Sequence, residues 1–161
     1  MTKNCGVDNS KFIDALNSDL EHEMSSIVRY LHHSFMVRGP IRGPLCDMFR
    51  NKAKSSMTHA IALGEKICAL GGHPSVKINT IIDPVDGEST RKMIELNLKA
   101  ELRHLEMYMN QHRLFEDDTP LRQLIEKFIL EEANHIEELE MYLREDPDTS
   151  NKPYKSMAKV K

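Results

Sequence analysis

A chain of 161 residues, 40% hydrophobic and 29% charged, is long enough for one domain with its own core. A formal net charge of −3 and the lack of tryptophan exclude a strongly basic, base-stacking surface, so no nucleic-acid partner is expected. No apolar run approaches a membrane span, no hydrophobic leader opens the chain, and Cys5, Cys46 and Cys68 form no C-x-x-C pair. The expectation is a cytoplasmic protein with no membrane partner and no disulfide framework or zinc knuckle.

Taken in order, the chain predicts an all-α fold of four helices. Residues 1–9 read as a mobile tail, with Asn9-Ser10 capping a first helix over 12–37. The turn Gly39-Pro-Ile-Arg-Gly-Pro44 stops that helix and lets Pro44 start the second, over 45–70, which ends at Gly71-Gly72. From Gly72 to Gly87 no helical period is visible. A connector that long suits a crossover along the bundle, with the second and third helices parallel. Glu88-Ser-Thr90 opens the third helix, over 89–115. A Thr119 cap with Pro120 behind it opens the fourth, over 120–144, and Asp146-Pro147 ends it. Residues 146–161 read as a second mobile tail, with room for a short fifth helix. The whole of 1–161 is expected to form a single domain.

Each helix carries polar residues in the middle of its apolar seam. The fourth reads Leu121, Ile125, Phe128, Glu132, His135, Leu139, Tyr142. Taken alone, Glu132-x-x-His135 is more simply read as a satisfied buried ion pair than as metal ligands. The other seams shift that balance. The first has Glu23 and Tyr30, the second Lys52, Ser56 and His59, and the third Glu101 and Tyr108, with His104 one turn after Glu101. The spacings repeat: Glu23 precedes Ser56-x-x-His59 by 33 residues, and Glu101 precedes Glu132-x-x-His135 by 31. Each tyrosine lies seven residues after its glutamate. Two helix pairs related by a pseudo-twofold axis would bring these groups to one depth. Buried carboxylates need a partner, and a metal ion is one such partner.

At these residues the chain resembles the ferritin-like carboxylate di-iron proteins, bacterioferritin above all. The resemblance covers about residues 10–145. It is carried by Glu23-Met-Ser-Ser-Ile-Val-Arg-Tyr30, by Met57-Thr-His59-Ala and by Glu131-Glu-Ala-Asn-His-Ile136. It implies a ferritin-like four-helix bundle with a long crossover between helices 2 and 3. It also implies an iron site from Glu23, the Ser56/His59 turn, Glu101 and Glu132/His135. The family oxidises Fe(II) with oxygen or peroxide, and many members build 24-subunit shells that store the product. The expected function is iron storage or detoxification, in a homo-oligomer that is at least a dimer. One alternative is an oxidase-deficient structural or haem-carrying subunit, in its own shell or mixed with a related subunit. Another is a di-iron oxidoreductase or peroxidase with a different substrate.

The departure from the family pattern is Ser56, where a bridging glutamate is expected, with the cationic Lys52 one turn earlier. Three arrangements stay open. The site is rebuilt with His104, or it holds one metal instead of two, or it is closed by Lys52 pairing with Glu101 or Glu132. Tyr30 and Tyr108 are expected as buried phenols hydrogen-bonded to the glutamates. His22, His32, His33 and His112 fall largely off the seams and are expected at surfaces or interfaces. Met57 matches the family's haem-ligating methionine between two subunits, which would imply haem b; its simpler reading is packing in a subunit contact.

Overall fold

The four amphipathic segments become four helices in a computed structural model, which describes residues 9–78 and 89–144. They are α1 (Ser10–Met36), α2 (Arg42–Ala69), α3 (Thr90–Leu114) and α4 (Thr119–Leu143). Among the described residues there is no strand, and no helix is long and apolar enough to cross a membrane. The expected tails lie outside the described residues except for Asn9, as does the suggested fifth helix.

The helix starts show local chemistry at work. Ser89 Oγ accepts from the Lys92 N–H at 3.3 Å, closing the first turn of α3. In α4 the cap is Asp118, not the expected Thr119; its Oδ1 accepts from the Leu121 N–H at 3.0 Å. Asn9 occupies the cap position of α1 without a side-chain cap bond. α2 begins at Arg42, ahead of the expected Pro44. Proline is tolerated there because first-turn N–H groups have no acceptor within the helix.

The end of α2 depends on two glycines for different reasons. The Gly72 N–H donates to Ile67 O and the Gly71 N–H to Cys68 O, at 2.9 and 3.0 Å. That paired closure needs a left-handed residue, and Gly71 has φ +83°. At Gly72 the constraint is space. An added Cβ would lie 2.7 Å from Ile13 Cγ2 and 3.0 Å from Ile67 Cγ2. Gly72→Ala is expected to cost about 1–3 kcal/mol of stability through overpacking, read as a lower urea midpoint at unchanged slope.

Contacts fix the helix directions. Tyr30 meets Glu101, Tyr108 meets Glu23 and Gln111 meets Ala15, so α1 and α3 are antiparallel. Cys46 meets Ser34 and His59 meets Glu23, so α1 and α2 are antiparallel as well. α2 and α3 therefore run the same way, with the end of one and the start of the next at opposite ends of the bundle. α4 is antiparallel to both, through Lys52–Glu138 and Arg91–Leu143. A crossover is the connection such a topology requires. Residues 79–88 of it lie outside the described residues. Its first part docks on α1: the Ser75 N–H donates to Asn17 Oδ1, and Asn17 Nδ2 donates to His73 O.

The core is split in two. One apolar cluster gathers Phe49, Leu45, Ile94 and Leu139; the other gathers Leu16, Leu63, Ile125 and Phe128. Each fully buried aliphatic or aromatic side chain contributes roughly 1.5–3 kcal/mol. These clusters hold the helices together, and that leaves a polar layer possible between them. The seam of α4 drifts as it crosses this layer. Leu121, Ile125, Phe128 and Glu132 are buried as expected, but beyond them Ile136 and Leu143 are buried, while His135 is half-buried and Tyr142 is exposed. A 3.6-residue turn gains on a 3.5-residue seam, so positions late in the helix rotate off it.

Candidate metal centre

Three glutamates and two histidines that the sequence singles out fill the layer between the two apolar clusters. Glu23, Glu101, Glu132, His59 and His104 are each at most 2% exposed. His135 is half-buried at the margin of the layer. Ligand atoms of Glu23, His59 and Glu132 lie within 4.8 Å of one another, as do those of Glu101, Glu132 and His135. Glu132 is common to both groups. His104 joins neither, but its Nε2 lies 3.9 Å from Glu23 Oε1.

The two tyrosines bond crosswise. Tyr30 on α1 donates to Glu101 Oε1 on α3 at 2.6 Å, and Tyr108 on α3 donates to Glu23 Oε1 on α1 at 2.5 Å. The seven-residue offset within antiparallel helices produces this exchange. Burial holds both phenols well above their usual pKa, so each remains a proton donor.

His59 lies between two carboxylates. Its Nδ1 lies 2.8 Å from Glu23 Oε1 and its Nε2 2.7 Å from Glu131 Oε2. Burial disfavours the imidazolium, but the hydrogen bond and charge of Glu23, then Glu131, raise the His59 pKa to about 9. Both nitrogens therefore donate at neutral pH. Glu101 is pushed up to about 8 by burial, then by the facing charge of Glu132 and the hydrogen bond between them. Glu101 thus holds a proton shared with Glu132, itself raised by burial. Glu23 falls below its usual value: burial opposes ionisation, but His59, His104 and Tyr108 outweigh it. Burial lowers His104 and leaves it neutral. His135 is lowered by burial and then by the charge of Lys52.

Lys52 does not pair with Glu101 or Glu132. Its Nζ lies 2.7 Å from Glu138 Oε2 and 3.4 Å from the His135 carbonyl. Its long stem is buried at 2% exposure while the ammonium reaches a half-exposed carboxylate on α4. The cation on Glu101 is instead Arg29, whose Nη2 is 3.3 Å from Oε1. His33 is also not at the surface. It is 2% exposed, and its Nδ1 lies 2.8 Å from Asn97 Nδ2. Ser56 is buried at 4% exposure, on the turn of α2 just before His59.

Several members of this layer escaped the spacing rules. Glu131 adjoins Glu132 and so points away from the seam, yet it reaches His59 from the rim. Arg29 precedes Tyr30 and enters from the side. Asp19 had a signal, since it lies four residues before Glu23 on the same face. It is fully buried, accepts from Gln111 Nε2 at 2.7 Å, and is raised well above its usual pKa by burial.

The residues fit a cation. Glu23 Oε2, Glu132 Oε2 and both ring nitrogens of His104 are buried without a hydrogen-bond partner. Buried polar atoms in folded proteins are normally satisfied, and here the orphaned carboxylate oxygens belong to two members of one ligand group, with His104 Nε2 3.9 Å from Glu23. All are anionic or neutral donors of the type that hold iron, manganese or zinc.

Known proteins share this fold. A nutrient stress-induced DNA-binding protein of Nostoc sp. is 27% identical over 142 residues, covering 83% of this chain and 77% of its own. A ferritin-like, diiron-carboxylate protein from Bacillus anthracis superposes with a TM-score of 0.80 at 30% identity, over 89% of this chain and all of that one. Rhodobacter capsulatus bacterioferritin, in a structure with a metal-free dinuclear site and haem iron, shares the fold. Its TM-score is 0.74 at 24% identity, over 83% of this chain and 84% of that one. The ferritin-like domain of the ferritin family matches residues 13–148, the stretch that builds all four helices and the buried layer, and the chain belongs to that family.

Proposed function

We propose that this chain binds ferrous iron in its buried layer and serves iron storage or detoxification. Fe(II) is the substrate, to be oxidised by oxygen or peroxide. The observation that carries the reading is the set of orphaned donors between two apolar clusters: Glu23 Oε2, Glu132 Oε2 and the His104 nitrogens. Either of two groups that share Glu132 would hold the ion, Glu23 with His59 or Glu101 with His135, and His104 lies beside Glu23. Bound iron would supply the electron for the oxidant. The chain's own part is to exclude water, to hold the carboxylates in place through Tyr30 and Tyr108, and to release protons from His59 and Glu101 as the cation enters. An anaerobic Fe(II) titration by calorimetry tests this. Wild-type protein should bind at micromolar concentration or tighter, and Glu132→Ala should abolish binding while keeping its helical circular dichroism. Wild-type protein that shows no heat of binding refutes the reading.

The reading extends to a homo-oligomer. Val28, Leu31 and Phe35 form an exposed apolar stripe on α1, and Met57 and Ile61 are exposed on α2. Such a surface suits a contact between copies, with a larger shell as its extension. Met57, half exposed, would be the ligand to any haem b shared across such a contact, and the chain would then be a haem-carrying shell subunit. The cytoplasm is the proposed compartment, since Cys46 and Cys68 are free thiols.

A further inference from the structure

The two candidate groups in the layer are not equivalent, because fixed cations crowd only one of them. Arg29 reaches Glu101 Oε1 with Nη2 at 3.3 Å. The same Nη2 donates to Ser26 Oγ at 3.0 Å, and Nε donates to Asn97 Oδ1 at 2.9 Å. Asn97 is itself oriented. Its Nδ2 faces both the Met93 carbonyl, at 2.9 Å, and His33 Nδ1, at 2.8 Å, and this turns its Oδ1 towards the guanidinium. A guanidinium with three acceptors is held, not wandering. Lys52 Nζ adds a second cation on that side, 3.4 Å from the His135 carbonyl. No Arg or Lys of the described residues makes an ion pair with Glu23. The orphaned Glu23 Oε2 is there, with His104 Nε2 3.9 Å from Glu23 Oε1.

We propose that the layer takes one cation, on Glu23, His59 and Glu132, and that Arg29 denies the second position by standing on Glu101 where another metal would sit. This rests on the reading of the layer as a cation site. Arg29 is a specificity-determining residue for stoichiometry. Its charge substitutes for one ion, and Ser56 removes the anion that a second ion would need. The chain thus keeps its charge balance with one metal where a two-metal centre would need four carboxylates.

Cobalt(II) alone is the probe, followed by calorimetry and by its visible d–d absorption. Wild-type protein should take one Co(II) per chain. His59→Ala should lose it and His135→Ala should keep it. Arg29→Gln should open a second event at least about tenfold tighter than any second event in wild type, the effect of roughly one removed unit of charge repulsion. Arg29→Lys, which keeps the charge, should remain at one. If Arg29→Gln does not fold, Asn97→Ala, which frees the guanidinium from its anchor, should give the same second event. Two ions in wild type, loss of the single ion in His135→Ala but not in His59→Ala, or a second event absent from both Arg29→Gln and Asn97→Ala would each overturn the proposal. No ion at all in wild type would instead defeat the iron-binding reading.

Discussion

Raising the pH from 6.5 to 8.5 should destabilise the cation-free protein steeply and strengthen cation binding over the same interval. Three groups with large shifts set its main features. Glu101 has its pKa raised from 4.5 to about 8, so the folded state keeps a proton that the unfolded chain gives up. Its contribution falls as pH rises through that window. His59 is raised from 6.5 to about 9; its contribution is full below 6.5 and is lost as pH rises through 9. His33 is lowered to about 4 by burial and then by the charge of Arg29. Its contribution is present above 6.5 and is lost as pH falls towards 4. Each proton changes stability by about 1.4 kcal/mol per pH unit. Between pH 4.5 and 6.5 the contributions of Glu101 and His33 oppose each other and should largely cancel. Above 6.5 Glu101 and His59 act together. A cation entering the layer displaces those same protons, so its affinity should rise by up to about a hundredfold per pH unit between 6.5 and 8. Thermal unfolding in EDTA and in Co(II), at pH 5.5, 6.5 and 8.5, measures both effects. A cation-free Tm that stays level up to pH 8.5 would contradict the assignment of the bound protons.

The legibility of this chain follows the physics of periodicity. The helices were readable because buried positions recur at helical spacing and because Ser89, Pro120 and the Gly71-Gly72 pair mark termini by local rules. The parallel course of α2 and α3 was readable from connector length alone. Glu23, His59, Glu101 and Glu132 were readable as one layer because each interrupts an apolar seam. What the seams hid were residues that enter sideways. Arg29 and Glu131 sit off the i, i+3, i+4 pattern, and only three-dimensional packing brings them to the ligands, whereas Asn97, four residues before Glu101, lies on it. The partner of Lys52 was hidden for a different reason. A lysine stem spans more than one helical turn, so its Cβ position says where the stem is buried and not where the ammonium ends. His33 shows the same limit. Off the α1 seam, it is covered because α3 packs Asn97 against it.

Ser56→Glu should make the stability of this protein depend on metal far more strongly than that of wild type. Ser56 is buried at 4% exposure, three residues before His59 and four after Lys52. A carboxylate there would join Glu23, Glu101 and Glu132. Without a cation the added charge would be buried and uncompensated, at a cost of about 3–5 kcal/mol. Lys52, one turn earlier on α2, is a candidate counter-charge, and to pair with the new carboxylate it must leave Glu138 Oε2, now 2.7 Å away. With cations present the new carboxylate would bridge the two ligand groups, and the penalty would become a gain. The expected result is a Tm well below wild type in EDTA that recovers in Co(II), with a second ion bound per chain. Fe(II) oxidation by oxygen, followed as the rise of ferric absorbance, should also be faster than in wild type. Arg29 moderates the effect, because its guanidinium still stands on Glu101. Ser56→Glu combined with Arg29→Gln should therefore bind the second ion more tightly than either substitution alone. The two changes act on one cluster, so their energies should couple instead of adding. If the Ser56→Glu chain is no less stable in EDTA and binds no further ion, position 56 does not face the layer and the missing-bridge account fails.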